Sequence, residues 1–248
     1  MTMKTTIELA LTQNLGKLNL PSMVSHLKSL LHQARQEGID YEEFLLGLTE
    51  IELKVRAKNR FKRLLREAKF PCVKTFETFS FDSAPDLNRS LIEELETGKY
   101  IRERRNIIFV GKNGTGKTHL ATALGIEACK QDVQTRFVTG CCLVNELLEA
   151  RDNKILSKLI QKYSRHDLLI LDDLGAVSHS KEGAELLFQV LAERHESRSV
   201  IITTNLEFTE WTNIFIDPTM TSVLLGRLTH RAYIIHCTWQ RYWAKVKQ

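Results

Sequence analysis

The residues Gly111-Lys112-Asn113-Gly114-Thr115-Gly116-Lys117-Thr118 have the types and spacing of a loop that wraps a chain of phosphates. Glycines let successive backbone N–H groups turn inward around phosphate oxygens, Lys117 is long enough to reach the β- and γ-phosphates, and the Thr118 hydroxyl is placed for Mg²⁺. The apolar run Ile107-Ile108-Phe109-Val110 stands before this loop, and a helix-like segment, 118–130, stands after it. A strand before and a helix after distinguish a working phosphate loop from a chance glycine turn, and the helix start adds partial positive charge. All eight residues are read as nucleotide contacts, with ATP and Mg²⁺ as the expected ligands.

A second apolar run, Leu168-Leu169-Ile170-Leu171, ends in the carboxylates Asp172 and Asp173. Asp172 is placed to hold the Mg²⁺ shell, because this hard cation keeps most of its waters and takes few protein carboxylates. Asp173 would orient or deprotonate the attacking water. Alone, such a pair is equally a solvated strand end; its place downstream of a phosphate loop favours chemistry. A third run, Val200-Ile201-Ile202-Thr203-Thr204-Asn205, also closes in polar residues. Ligands of a parallel sheet lie beyond the carboxyl ends of its strands, so Asn205 either positions the lytic water or caps the turn before Leu206 and Glu207. Further on, Arg227 and Arg231 follow a helix-like segment in Leu224-Leu225-Gly226-Arg227-Leu228-Thr229-His230-Arg231. A guanidinium supplied to a neighbour's γ-phosphate is one way to stabilise transferring charge.

The elements needed to hold these groups can be read from periodicity and punctuation. From Asn106 onward, apolar runs alternate with helical segments, the pattern of an α/β domain with a parallel sheet, assigned to residues 106–248. Residues 1–69 read as a small all-helical domain with helices at 6–17 and 21–37, then a long helix N-capped by Asp40 and stopped by Phe70-Pro71. Within that long helix Tyr41, Phe44, Leu45, Leu48, Ile51 and Val55 recur at three- and four-residue steps, a packing face. Residues 70–105 form a connector with a helix over about 86–97. Its aromatics Phe76, Phe79 and Phe81 suit either an adenine contact or packing on the domain body.

The 248 residues are enough for one α/β domain and a small helical one, and 43% hydrophobic content can bury a proper core. The formal net charge of +5 is unevenly spread. Lys54, Arg56, Lys58, Arg60, Lys62, Arg63, Arg66 and Lys69 crowd a stretch in which Glu67 is the only acid, while Val55, Phe61, Leu64, Leu65 and Ala68 supply an apolar stripe. A second basic ridge is expected on one helix over 143–164, with Lys154, Lys158 and Lys162 at four-residue spacing and Arg151 just before. Both features are either solvated faces or contacts to the phosphate backbone of double-stranded DNA, with little sequence preference because no base-reading motif is present. No apolar run approaches a membrane span, and Met1-Thr2-Met3-Lys4 does not begin a secretory signal, so a cytoplasmic protein without membrane contact is expected. Cys72, Cys129, Cys141, Cys142 and Cys237 are odd in number and form no C-x-x-C pair, which suits reduced thiols.

Together, Asn106-Ile107 into the loop, Gly116-Lys117-Thr118-His119-Leu120-Ala121, Leu171-Asp172-Asp173-Leu174-Gly175, Thr203-Thr204-Asn205 and Gly226-Arg227-Leu228 resemble the AAA+ ATPases of the IstB/DnaC branch. Within that branch the chain is most similar to the IstB-type transposition helpers of insertion sequences. The likeness extends to the N-terminal third, through Leu18-Asn19-Leu20-Pro21 to Met23, Glu50-Ile51-Glu52 and Arg63-Leu64-Leu65-Arg66-Glu67-Ala68. The resemblance implies an ATP-hydrolysing, DNA-binding homo-oligomer with ATP at its subunit interfaces, working with a cognate transposase. It makes Asn205 the sensor I residue and Arg227 the arginine finger, and it implies that the basic helix over 143–164 lines a DNA channel. A DnaC-like replicative helicase loader is the alternative, and a neighbouring transposase or replication gene would separate the two. A metabolic kinase with the same loop would need a substrate pocket and lid that the sequence does not show. The chain departs from the family pattern at Gly226, where an acidic residue usually precedes the finger. It departs again at Cys237-Thr238-Trp239-Gln240-Arg241, where Gly-x-Ser-Tyr-Arg is usual and only Arg241 stays in register. Asp173 stands where the wider class has Glu, and its shorter arm implies slow hydrolysis.

Overall fold

The computed structural model describes residues 3–176 and 180–239. The chain divides into two compact units, with the boundary between Arg63 and Leu64.

The first unit is helical. Helix α1 (Met3–Lys17) leads into α2 (Pro21–Glu37), which starts at a proline and stops at Gly38 in the left-handed conformation, φ 68°. Helix α3 (Tyr41–Ala68) is the long one, and the Asp40 carboxylate accepts the Glu43 N–H at 2.7 Å as its N-terminal cap. Met23, Leu27 and Leu48 form the buried centre, with Leu15, Leu20, Leu30, Leu31 and Phe44 packed on it. Tyr41 and Leu45, expected on the packing face, are instead 91% and 58% exposed. Both lie at the edge of the stripe that Phe44 and Leu48 centre, so a core this narrow does not reach them. A buried carboxylate organises the turn between α1 and α2. Glu52 Oε2 accepts the Ser22 and Met23 N–H groups at 2.9 and 3.2 Å, and Oε1 accepts Arg56 Nε at 2.8 Å. Burial pushes the Glu52 carboxyl upward, but the hydrogen bonds from Arg56, Met23 and Ser22 outweigh it and hold the group below its ordinary value.

The second unit is an α/β layer structure. Helices α4 (Arg89–Glu96) and α5 (Lys99–Arg102) precede β1 (Asn106–Gly111) and α6 (Lys117–Lys130). Then come β2 (Thr135–Thr139), α7 (Gly140–Asp152), α8 (Leu156–Arg165), β3 (Leu168–Asp172) and α9 (Lys181–Arg194). The order ends with β4 (Ser199–Thr204), α10 (Thr212–Phe215), α11 (Pro218–Thr229) and β5 (Ala232–Cys237). Among the described residues the strands form one parallel sheet ordered β2-β3-β4-β1-β5. Strands β3 and β4 are buried along their whole length, as expected for a sheet covered on both faces. One face packs Ile108, Leu169, Leu171 and Ile202 with α7, α9 and α11; the other packs Phe109, Ile170 and Ile201 with α4 and α6.

The single helix expected over 143–164 is two. Lys154 has φ 58°, the Ile155 N–H donates to the Ala150 carbonyl at 2.8 Å, and the Lys154 N–H donates to the Arg151 carbonyl at 2.9 Å. This paired bond pattern with one left-handed residue ends α7 and lets α8 start in a new direction. The basic ridge is therefore broken: Lys154 stands in the connection, only Lys158 and Lys162 share α8, and Arg151 pairs with Asp152 and Glu182.

Candidate functional site

Strand β1 lies between β4 and β5, and the chain leaves it for β2 at the sheet's far edge, so a crevice opens beyond its carboxyl end. A cleft of about 480 Å³ occupies that place, within the range of small-molecule sites. Its lining includes Asn113 to His119, Asp172, Asp173, Thr203 and Trp239, together with residues of the 74–83 segment.

The phosphate loop joins β1 to α6. Gly114 and Gly116 have φ of 85° and 90°, a conformation that a side chain would strain. A Cβ on Gly116 would also come within 2.9 Å of the Phe79 ring, and one on Gly111 would collide with the Cys237 carbonyl oxygen. Lys117 is 8% exposed, and its Nζ donates to the carbonyls of Gly111 at 2.6 Å and Lys112 at 2.9 Å. Burial pushes its pKa down, opposed by Cys237, Asp173 and Asp172. A cation held over the loop by its own carbonyls suits incoming phosphate oxygens, which would be stronger acceptors.

Three oxygens converge beside it. Asp172 Oδ1 accepts the hydroxyls of Thr118 at 2.8 Å and Thr203 at 2.6 Å, and Thr203 Oγ1 accepts the Asp173 N–H at 2.9 Å. Two hydroxyls and a carboxylate are hard donors of the kind Mg²⁺ takes when nucleotide phosphates and water complete its shell. Among the described residues no cluster of three or more His, Cys, Asp or Glu side chains could hold a metal by itself. Asp173 is exposed at the cleft with φ 53°, turned out of the line of β3.

Asn205 does not line the cleft; it lies against the turn after β3, where a Cβ on Gly175 would collide with its Oδ1. Thr203, still within β4, lines the cleft instead and donates its hydroxyl to Asp172 Oδ1, whereas Asn205 follows the end of the strand. The turn after β4 is capped by Thr204, whose hydroxyl accepts the Leu206 N–H at 3.1 Å. Arg227 is exposed on α11 with its guanidinium 5.9 Å from the centre of the Phe188 ring, and it does not line its own chain's cleft. Arg231 is likewise exposed, and Arg241 lies outside the described residues.

Trp239 and His119, which no sequence pattern marks as site residues, also line the cleft. Phe79 lines the cleft and packs edge-on to Phe81, with ring centres 5.0 Å apart. His119 lies 2.8 Å from the Thr75 carbonyl and edge-on to Phe79, tying the 74–83 segment to α6; burial holds its pKa below the ordinary value. The DNA candidates on α3, namely Lys54, Arg56, Lys58, Arg60, Lys62, Arg63 and Arg66, are all exposed. Lys54 pairs with Glu50, and Arg56 supports Glu52 and donates to the Asn19 carbonyl. Lys154, Lys158 and Lys162 are exposed as well. No helix among the described residues is long and apolar enough to cross a membrane.

A model of the family described as IstB-like ATP binding protein matches residues 13–248. The chain is 33% identical over 232 residues to a protein named for ATP binding in insertion sequence IS232 of Bacillus thuringiensis subsp. berliner, covering 94% of this chain and 93% of the relative. It is 34% identical over 232 residues to the counterpart named for IS5376 of Geobacillus stearothermophilus, covering 94% and 92%. Among solved structures, DnaA from Aquifex aeolicus bound to AMPPCP is similar with a TM-score of 0.55 at 20% identity, over 67% of this chain and 50% of that one. DnaI matches with a TM-score of 0.55 at 19% identity, over 71% and 93%. The chain thus spans about half the length of the DnaA chain it matches. These likenesses show the fold, which is the P-loop AAA+ α/β fold that the sequence motifs led one to expect.

Proposed function

The chain belongs to the family of IstB-like ATP-binding proteins, and from that premise we propose that it is an ATP-hydrolysing, DNA-binding homo-oligomer that prepares target DNA for a cognate transposase in the cytoplasm. The observation that carries the ATPase part is the convergence of Lys117, Thr118, Asp172, Thr203 and Asp173 on one cleft. Lys117 takes the β- and γ-phosphates, with the backbone amides of the loop from Gly111 to Thr118 around them. Thr118 and Asp172 would hold Mg²⁺, which would supply neutralisation of charge on the phosphates. Asp173 accepts the proton of the attacking water as its oxygen approaches phosphorus. Arg227, which does not line its own chain's cleft, serves the γ-phosphate of a neighbouring subunit. Asn205 contributes by packing against the turn that follows Asp173.

Thr203 holds both carboxylate residues in register, so Thr203→Val should act on catalysis more than on nucleotide affinity. Its loss leaves the Asp173 N–H without its acceptor and removes one of two donors to Asp172. We expect kcat for ATP to fall at least about tenfold and the Mg²⁺ requirement to rise. Hydrolysis titrated with Mg²⁺ checks this; an unchanged Mg²⁺ dependence would take Thr203 out of the site.

The DNA part rests on the exposed basic residues of α3 and α8. Each Lys or Arg that neutralises a phosphate releases counterions, so duplex affinity should fall with salt by a log–log slope of about 0.9 per phosphate, with little sequence preference. Changing Arg60 and Arg63 together with Lys58 to Glu should weaken binding to all duplexes alike and leave ATP affinity nearly intact. ATP should strengthen DNA binding by joining weak patches into one multivalent surface. Anisotropy titrations across salt, with and without ATP, decide the matter: salt-independent binding, or full affinity after charge reversal, sinks the DNA assignment on α3. Stimulation of the neighbouring transposase would support the transposition role; stimulation of helicase loading instead would replace it.

A further inference from the structure

Parallel pairing of β5 beside β1, with Gly111 opposite Cys237, brings the segment after β5 against the phosphate loop. Trp239 is 8% exposed, and its indole Nε1–H donates to the Thr115 carbonyl at 2.7 Å. Thr115 is itself buried, and its hydroxyl donates to the Lys112 carbonyl at 2.9 Å. The end of β5 therefore braces the loop twice, through Cys237 against Gly111 and through Trp239 against Thr115.

A peptide unit is planar and trans, so the Thr115 C=O and the Gly116 N–H point in opposite directions from one plane. An indole that holds the oxygen at the back of the loop turns that N–H toward its hollow. Without such an anchor, a peptide beside two left-handed glycines, Gly114 and Gly116, has many orientations open to it, and binding would have to order it.

We propose that Trp239 is a positioning residue for nucleotide binding, its indole N–H locking the Thr115–Gly116 peptide so that the Gly116 N–H faces the phosphates. The proposal rests on the reading of the cleft as a nucleotide site. It acts through Thr115 and adds a determinant of affinity from outside the eight-residue loop.

Phenylalanine at this position keeps the apolar ring and removes only the donor. In the full-length protein, Trp239→Phe should raise the Kd of fluorescently labelled ADP and ATP by about tenfold or more, the effect of leaving one buried carbonyl unpaired and its peptide unlocked. Trp211→Phe is the control, because Trp211 is buried among Ile214 and Phe215 and its Nε1 has no partner. That control should leave both Kd values unchanged. Wild-type affinity in Trp239→Phe overturns the proposal, as does equal weakening in Trp211→Phe, which would mark general loosening. If Trp239→Phe does not fold, hydrogen exchange of the wild-type indole N–H decides, assigned by replacing the chain's other two tryptophans. Slow exchange with ADP bound supports the lock; exchange at the rate of free indole overturns it. Failure of the wild-type protein to bind ADP would instead sink the nucleotide reading, and this proposal with it.

Discussion

Lys117→Ala is expected to abolish measurable ATP binding, whereas Asp173→Asn should bind ATP nearly as the parent does and lose turnover by about 10²- to 10⁴-fold. The separation follows from where the two groups stand. Lys117 is buried, its ammonium lies on the carbonyls of Gly111 and Lys112, and in the proposed mechanism it is the loop's cation for the phosphates. Its loss removes binding shared by ground and transition states. Asp173 is exposed and lines the same cleft, and in the proposed mechanism its carboxylate acts only when water attacks. An amide of the same shape keeps the packing and cannot take the proton. Equilibrium binding of labelled ATP beside steady-state hydrolysis measures both; equal loss of binding in the two variants would show that the roles are not divided this way.

Arg227→Ala should lower kcat by about 10³-fold or more while nucleotide binding persists, the effect expected of a guanidinium that meets the γ-phosphate in the transition state. The stronger test uses mixtures. Arg227→Ala chains have an intact cleft and no finger, and Asp173→Asn chains have the reverse. In a head-to-tail assembly mixed at equal amounts, roughly a quarter of interfaces would pair an intact cleft with an intact finger. Mixing should therefore restore a fraction of activity that neither parent shows. A mixture as inactive as its parents would remove Arg227 from trans action and make Arg231 the next candidate. The missing acidic neighbour at Gly226 bears on this result: Phe188, 5.9 Å from the guanidinium, is what the structure offers to orient it.

What could be read from the chain alone was what lies close together along it. The phosphate loop is made of consecutive amides between an adjoining strand and helix, and Asp172 and Asp173 are marked by the apolar run they end, so both were legible as candidate site residues and the family resemblance followed from them. The parallel α/β class was legible for the same reason, since period and punctuation alternate along the chain. The part of Thr203 was not, because its hydroxyl meets Asp172 only once β4 lies beside β3 in the register that pairs Leu171 with Ile202. Nor was the end of α7 legible, since a left-handed lysine at Lys154 takes a place that glycine usually marks. Trp239 lies 124 positions from Thr115, and no local pattern connects them. Strand order alone brings β5 beside β1, and the burial and hydrogen bonding of the whole sheet decide that order. The sequence by itself determined the chemistry carried by contiguous residues; tertiary structure decided which distant side chains hold those residues in place, because a planar peptide or a carboxylate is oriented by whatever the fold packs behind it.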